Sequence, residues 1–114
     1  MKDPDDLEGL EALQQRIGVR FQDPLLLLRA LTHPSYANEV SGTRTDNERL
    51  EFLGDAVLGA VVSAMAFRMF PDLAEGDLTR LRSAVVRRES LADVARGLGL
   101  GDHLRLGRGA ARVE

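Results

Sequence analysis

The sequence predicts an all-α domain, on three observations. Aromatic residues are scarce, one Tyr and four Phe against 19 Leu and 13 Ala, a balance that favours helices over strands. Apolar residues recur at three- and four-residue spacing, and no alternating run marks a strand. Ser, Thr, Asp, Pro and Gly stand where such helices would start and stop. The 114 residues suit one small domain, and a chain of that size can bury roughly two-thirds of its unfolded surface.

Residues 1–6 read as a disordered acidic tail. Leu7, Leu10, Leu13 and Ile17 share a helical face that Gly18 closes. Asp23 and Pro24 have the chemistry of an N-cap and a first helical position. That helix carries Leu25 to Leu28 and Leu31 and stops before Pro34, which cannot continue the ladder. Residues 37–46 lack periodicity and read as a loop.

A long helix is expected from about Asn47 to about Met69, with Thr45 and Glu48 at capping-box spacing and Phe70-Pro71 at its end. Asp77 opens the next, turning Leu78, Leu81 and Val85 inward. Ser90 and Asp93 have the spacing to cap another, which carries Leu91, Val94 and Leu98 and closes on Gly97, Gly99 and Gly101. Leu104, Leu106 and a Gly/Arg-rich end follow.

Composition narrows the function. With no Cys there is no disulfide, thiolate metal site or cysteine nucleophile, which permits a cytoplasmic origin. No apolar segment follows the N-terminal Met-Lys-Asp-Pro-Asp-Asp, so a secretory signal is not expected. No run approaches the ~18 apolar residues of a membrane span, so no membrane partner is expected. The net charge of −3 hides an asymmetry: residues 1–57 carry 6 basic and 11 acidic side chains, residues 58–114 carry 9 and 7. Fourteen of the fifteen basic residues are Arg, the side chain suited to bidentate phosphate contact.

The informative segment runs from Asn47 to Leu58. At about 100° per residue, Glu48, Glu51 and Asp55 fall within roughly a 60° arc, opposite Leu50, Leu53, Val57 and Val61. The helix is therefore expected to bury one face and gather three carboxylates on the other. Like charges one turn apart repel, and a divalent cation would relieve them; carboxylate and water are the ligands Mg²⁺ prefers. A solvated acidic face is the plainer alternative, and Glu48 can simply complete the capping box. Phe52 lies about 40° from Glu48, away from the Leu/Val stripe, and needs a partner. Gly54 stands mid-helix at a cost of ~1 kcal/mol relative to Ala. Close approach of another backbone would account for both.

Asn47-Glu48-Arg49-Leu50-Glu51-Phe52-Leu53-Gly54-Asp55-Ala56-Val57-Leu58 resembles the signature of the ribonuclease III endonuclease domain. Ala30-Leu31-Thr32-His33-Pro34-Ser35-Tyr36 resembles the segment that precedes it. Phe70-Pro71, Glu75-Gly76-Asp77-Leu78-Thr79-Arg80-Leu81-Arg82, Val86-Arg87-Arg88-Glu89-Ser90-Leu91-Ala92 and Leu104-Arg105-Leu106-Gly107-Arg108-Gly109 continue in register.

The resemblance implies a homodimeric, Mg²⁺-dependent endonuclease of double-stranded RNA, with Mn²⁺ as a substitute, acting in the cytoplasm on structured precursors such as rRNA and mRNA. It implies Glu51 and Asp55 as metal ligands, Glu48 and Glu75 as shaping the cleavage site, and Phe52 as packing across the dimer interface. Bound Mg²⁺ would supply the activated water and the charge neutralisation that phosphodiester hydrolysis needs. His33 and His103 then read as structural. Arg80, Arg87 and Arg88, at spacings that put them on neighbouring parts of one helical surface, are candidates for RNA phosphate contacts. An ordinary solvated face is the alternative.

The end of the chain departs from the family. There, a further helix bearing an Asp and a Glu completes the metal site, and a double-stranded-RNA-binding domain usually follows. Residues 7–114 therefore read as an endonuclease domain incomplete at its C-terminus, shortened, part of a longer protein or a natural short paralogue. The uninterrupted signature favours shortening. Little or no cleavage is expected of the 114 residues themselves. The alternative function is a catalytically dead dimerisation or RNA-binding module of the same fold.

Overall fold

The computed structural model describes residues 7–39 and 46–107. Six α-helices run in order: α1 Leu7–Ile17, α2 Pro24–Ala30, α3 Pro34–Glu39, α4 Glu48–Met69, α5 Glu75–Val86 and α6 Arg88–Leu98, followed by a 3₁₀ turn at Leu100–His103. Among the described residues there is no strand, only an isolated parallel bridge between Thr32 and Arg105. The expected all-α class is borne out.

The core lies at the N-terminal end of the molecule. Leu10 and Leu13 of α1 meet Leu27 and Leu31, and Ile17, Phe21, Leu28, Leu100 and Leu104 close around them. Leu13 is fully buried. Gln14 is buried with them at no polar penalty. Its Nε2 donates to Leu10 O at 3.2 Å and its Oε1 accepts from Phe21 N at 2.7 Å. Gly18, at φ 73°, ends α1 as expected. Asp23 caps α2, its Oδ1 accepting from Leu25 N at 3.0 Å. Arg16 ties the end of α1 to the end of α6, its Nε donating to Leu98 O at 2.9 Å.

Several boundaries differ from the sequence reading. Residues 37–39 belong to α3, not to a loop, because Pro34 starts a helix as readily as it stops one. His33 precedes it, and its Nδ1 accepts from Ser35 N at 3.0 Å as an N-cap acceptor. Thr45, the expected capping-box residue, lies outside the described residues; Asp46 Oδ1 accepts from Glu48 N at 3.0 Å instead. α5 starts at Glu75, so Asp77 sits in its first turn, not at its cap. α6 starts at Arg88. Ser90 turns back to donate to Ala84 O at 2.8 Å, satisfying a carbonyl freed where α5 stops, and Asp93 pairs with Arg96. Val85 and Val94 are exposed. Gly99, at φ 68°, ends α6 as expected.

The largest correction concerns α4. Its Leu/Val stripe is not buried: Leu53 is 58% exposed, Val57 54% and Val61 50%. α4 packs along α5, around an apolar groove of about 180 Å³ lined by Val62, Met65, Ala66, Met69, Phe70, Leu81 and Val85. Arg82 Nη1 donates to Ser63 Oγ at 3.0 Å across the pair. One helix neighbour covers one side, and no described element covers the other. Among the described residues no neighbour comes within 4 Å of the position a Gly54 side chain would take, so no described backbone accounts for that glycine. The molecule is correspondingly long, 52 × 27 × 22 Å. Its radius of gyration is 16.4 Å, against about 13 Å for a compact domain of this length.

α4 is also long and apolar enough to cross a membrane by length and composition, with a mean hydropathy of 1.7. That corrects the expectation that no such run exists, since Glu51 and Asp55 interrupt it too sparsely to lower the mean. Both carboxylates stand on one side, and α5 packs against the helix, as in a folded helical domain.

Leu13→Ala should cost about 2–5 kcal/mol, read as a lower urea midpoint, because the packed cluster around it cannot collapse into the space.

Candidate active site

The start of α4 is held from outside by backbone groups that α2 leaves open. The last carbonyls of a helix have no partner within it. Here Asn47 supplies two: its Nδ2 donates to Ala30 O at 3.1 Å and its backbone N to Thr32 O at 2.9 Å. Arg29 Nε reaches Asp46 O at 3.0 Å from the other side. Asn47 O in turn accepts from Glu51 N at 2.8 Å, the first bond of the helix ladder. Asn47 was legible in the sequence only as the approximate start of a helix, and Arg29 and Asp46 gave no signal. Asn is a preferred N-cap residue, and that preference was the available cue.

From this anchor the acidic residues project as the spacing requires. Glu48, Glu51 and Asp55 are exposed, and among the described residues none joins a hydrogen bond or ion pair through its carboxylate. Glu51 and Asp55 are one turn apart, separated by a rise of about 6 Å. Beside them Phe52 is 82% exposed. It forms a wall of a groove of about 590 Å³ with Arg29, Glu48, Arg49, Leu50 and Leu53.

The structure does not gather every expected residue. Glu75 is the first residue of α5, just past the far end of α4. Within one chain it lies roughly 25 Å along the helix axis from Glu51. Among the described residues no three Asp, Glu or His side chains converge to hold a metal ion. Two unpaired carboxylates at this spacing still match the way Mg²⁺ binds, through one or two carboxylates with water and phosphate oxygens in its remaining positions. Glu51 and Asp55 would be those two.

The three candidate arginines do not share one helical surface. The helix breaks at Arg87, whose ψ of 158° is extended, so Arg80 lies on α5, Arg87 at the junction and Arg88 on α6. Arg80 is paired with Asp77, and Arg87 lies 3.9 Å from Glu89 and 3.3 Å from Ser90 Oγ. Arg88 is exposed and has no hydrogen bond or ion pair among the described residues. Both histidines hold structure: His33 caps α3, and the Nε2 of His103 meets the Arg16 guanidinium.

The described residues thus form a helical domain with an exposed carboxylate pair on the first turns of its longest helix. The Ribonuclease-III-like family matches residues 23–114. Ribonuclease 3 of Symbiobacterium thermophilum is 56% identical over 97 residues, which are 85% of this chain and 41% of that protein. Ribonuclease 3 of Thermobifida fusca is 58% identical over 96 residues, 84% of this chain and 39% of that protein. The solved nuclease domain of ribonuclease III from Campylobacter jejuni superposes with a TM-score of 0.82 at 43% identity, covering 90% of this chain and 68% of that one. That structure is described as flexible in the region involved in dimer formation. The chain belongs to the ribonuclease-III-like family. It spans about two-fifths of the length of these curated relatives.

Asn47→Ala should destabilise the fold by about 1 kcal/mol through the lost bond to Ala30. Hydrogen exchange at the Glu48–Glu51 amides should accelerate more than exchange in α1.

Proposed function

We propose that this chain carries the carboxylate half of a ribonuclease III active site and that its parent activity is Mg²⁺-dependent cleavage of double-stranded RNA. The observation that supports it most directly is the unpaired Glu51–Asp55 pair, held at the anchored start of α4 within a sequence that matches the family almost throughout. The chemistry that Mg²⁺ would supply there is neutralisation of the phosphate charge and activation of a water. Glu51 and Asp55 would hold the cation, from neighbouring turns of one helix face. Glu48, exposed beside them, would help to shape the cleavage site. Arg88, with Arg80 and Arg87 once released from Asp77 and Glu89, contacts RNA phosphates by charge and shape. Structured RNA precursors, rRNA and mRNA among them, in the cytoplasm, are the substrates this reading implies.

A homodimer is part of the proposal. Phe52 is a large apolar group left 82% exposed among the described residues, and a second copy covers it. Glu75 is too distant to act with Glu51 of the same chain, so it serves a cleavage site only where two copies meet. A second reading has one observation in its favour: among the described residues no third metal ligand joins Glu51 and Asp55. On that reading the chain dimerises or holds RNA without cutting it.

In a chain of the relatives' full length built on this sequence, Glu51→Ala and Asp55→Ala should each abolish Mg²⁺-dependent cutting of a long RNA duplex while gel-shift binding persists. Normal cutting by both variants refutes the metal assignment. Cutting by neither variant nor parent favours the non-catalytic module. The 114-residue chain itself should cut little or not at all. Paramagnetic broadening by Mn²⁺ should centre on residues 48–55 and vanish in Glu51→Ala. Phe52→Ala should lower the light-scattering mass toward the monomer at about 1 µM, where weaker contacts are dissociated.

A further inference from the structure

We propose that the pocket between α2 and Arg105 binds a small amphiphilic anion, a phosphate or carboxylate head carried on an apolar body. The pocket holds about 320 Å³, a size typical of small-molecule sites. Arg29, Arg105 and Thr32 form its polar side, and Leu25, Leu26 and Leu28 its apolar side. Glu48, Glu51 and Asp55 do not line it, and it shares only Arg29 with the groove beside Phe52.

Two guanidinium groups without a carboxylate partner carry the argument. Among the described residues neither Arg29 nor Arg105 joins an ion pair. Arg29 donates through Nε to Asp46 O at 3.0 Å, which fixes the side chain and leaves both terminal nitrogens for a ligand. Arg105 is half-buried and stacks on Tyr36, with its guanidinium carbon 4.3 Å from the ring centroid. Its side chain makes one long hydrogen bond, Nη1 to Thr32 Oγ1 at 3.3 Å, and its Nε is buried with no partner. A guanidinium has five N–H donors, so most of those on Arg105 are unmatched. Thr32 is buried and its hydroxyl donates to Leu28 O at 2.7 Å, so Arg105 is held by a fixed group. Two cations lining one cavity repel, and an oxyanion between them removes that cost and accepts from both forks. Asp23 is the acidic residue of the lining. Its Oδ1 is committed to the Leu25 amide at 3.0 Å and leaves the arginines unneutralised.

The leucines decide the class of ligand. Leu25 and Leu26 are exposed beside the cationic side. A bare oxyanion would leave them in water, whereas an apolar group next to the head covers them. A phosphate of an RNA strand is flanked by ribose and brings no apolar body to that wall. The combination of an arginine pair and an aliphatic wall therefore fits a small molecule better than a nucleic-acid backbone.

Phenyl phosphate is a suitable probe, titrated into the 114-residue chain in a sulfate-free buffer of low ionic strength and followed by amide chemical shifts. Shifts should concentrate on residues 25–32 and Arg105 and spare Val94, an exposed site on α6. Phenyl phosphate should bind about tenfold more tightly than inorganic phosphate, the gain that covering a ring provides. Benzoate should compete for the same pocket, and uncharged benzyl alcohol should not. Leu26→Asn should remove the tenfold advantage and leave inorganic phosphate binding unchanged. Arg29→Gln should weaken both ligands by about tenfold, as loss of a charge-assisted bond does. Asp23→Asn, which keeps the capping chemistry of α2, should tighten both. Helical circular dichroism confirms that each variant is folded. Absence of shifts at about 10 mM phenyl phosphate, where even millimolar affinity saturates, overturns the site, as do shifts spread over the arginines of α5 and α6. Equal affinity for phenyl and inorganic phosphate, with both displaced by a short RNA duplex, overturns the small-molecule assignment and gives the pocket to an RNA backbone.

Discussion

The short corner between α2 and α3 holds the described fold together. Pro34 breaks the helix there, so the carbonyls of residues 30–32 and the amide of His33 need partners from elsewhere. Asn47 takes Ala30 O and Thr32 O, and Arg105 takes Leu31 O at 2.8 Å while its own carbonyl accepts from His33 N at 3.0 Å. One four-residue corner thereby fixes the start of the long helix and the return of the chain's far end. The Arg105 guanidinium closes the arrangement, lying 4.3 Å from the Tyr36 ring centroid and donating to Thr32 Oγ1 at 3.3 Å. Gly107 N donates to Ser35 Oγ beside it at 2.8 Å. Buried backbone groups tolerate no vacancy, and this is why residues distant in sequence converge there.

The direction of the acidic face follows from that corner. A helix whose first residue is pinned from two sides has a defined axis and a defined rotation, so Glu51 and Asp55 present their carboxylates in one direction. Their neighbours on the other side of α4 carry the opposite physics. Burying a single Leu or Val side chain is worth about 1.5–3 kcal/mol, and α4 leaves several without that gain. A helix that is apolar nearly all round is normally an interior helix. Here the interior is half built, and within the described residues the other half stands open. The elongation of the molecule expresses the same condition: the small cluster around Leu13 forms a compact end, and the α4–α5 pair projects from it.

The helices themselves were largely legible in the sequence. Leu10 and Leu13 at helical spacing, Asp23-Pro24 and the Gly99 stop all stand where local chemistry puts them, because capping and periodicity act within a few residues. Boundaries that depend on distant partners were not legible. α6 starts two residues before Ser90, because Ser90 bonds back to Ala84 across the break instead of capping its own helix. The short helix at Pro34 leaves no such signal, because its six residues carry too little periodicity.

By itself the sequence determined the class of fold, the long helix, and the arc shared by Glu48, Glu51 and Asp55, since helical geometry dictates those angles wherever the helix goes. It also carried the family resemblance that the similarity of residues 23–114 bears out. Only the tertiary structure decided which apolar residues are covered. The pattern Leu50, Leu53, Val57 and Val61 reads the same whether a helix buries that stripe or offers it to a partner, because hydrophobic spacing records a preference for burial and not the identity of what provides it. The distance that separates Glu75 from Glu51 was likewise settled by the turn after α4, which sends α5 back from the far end.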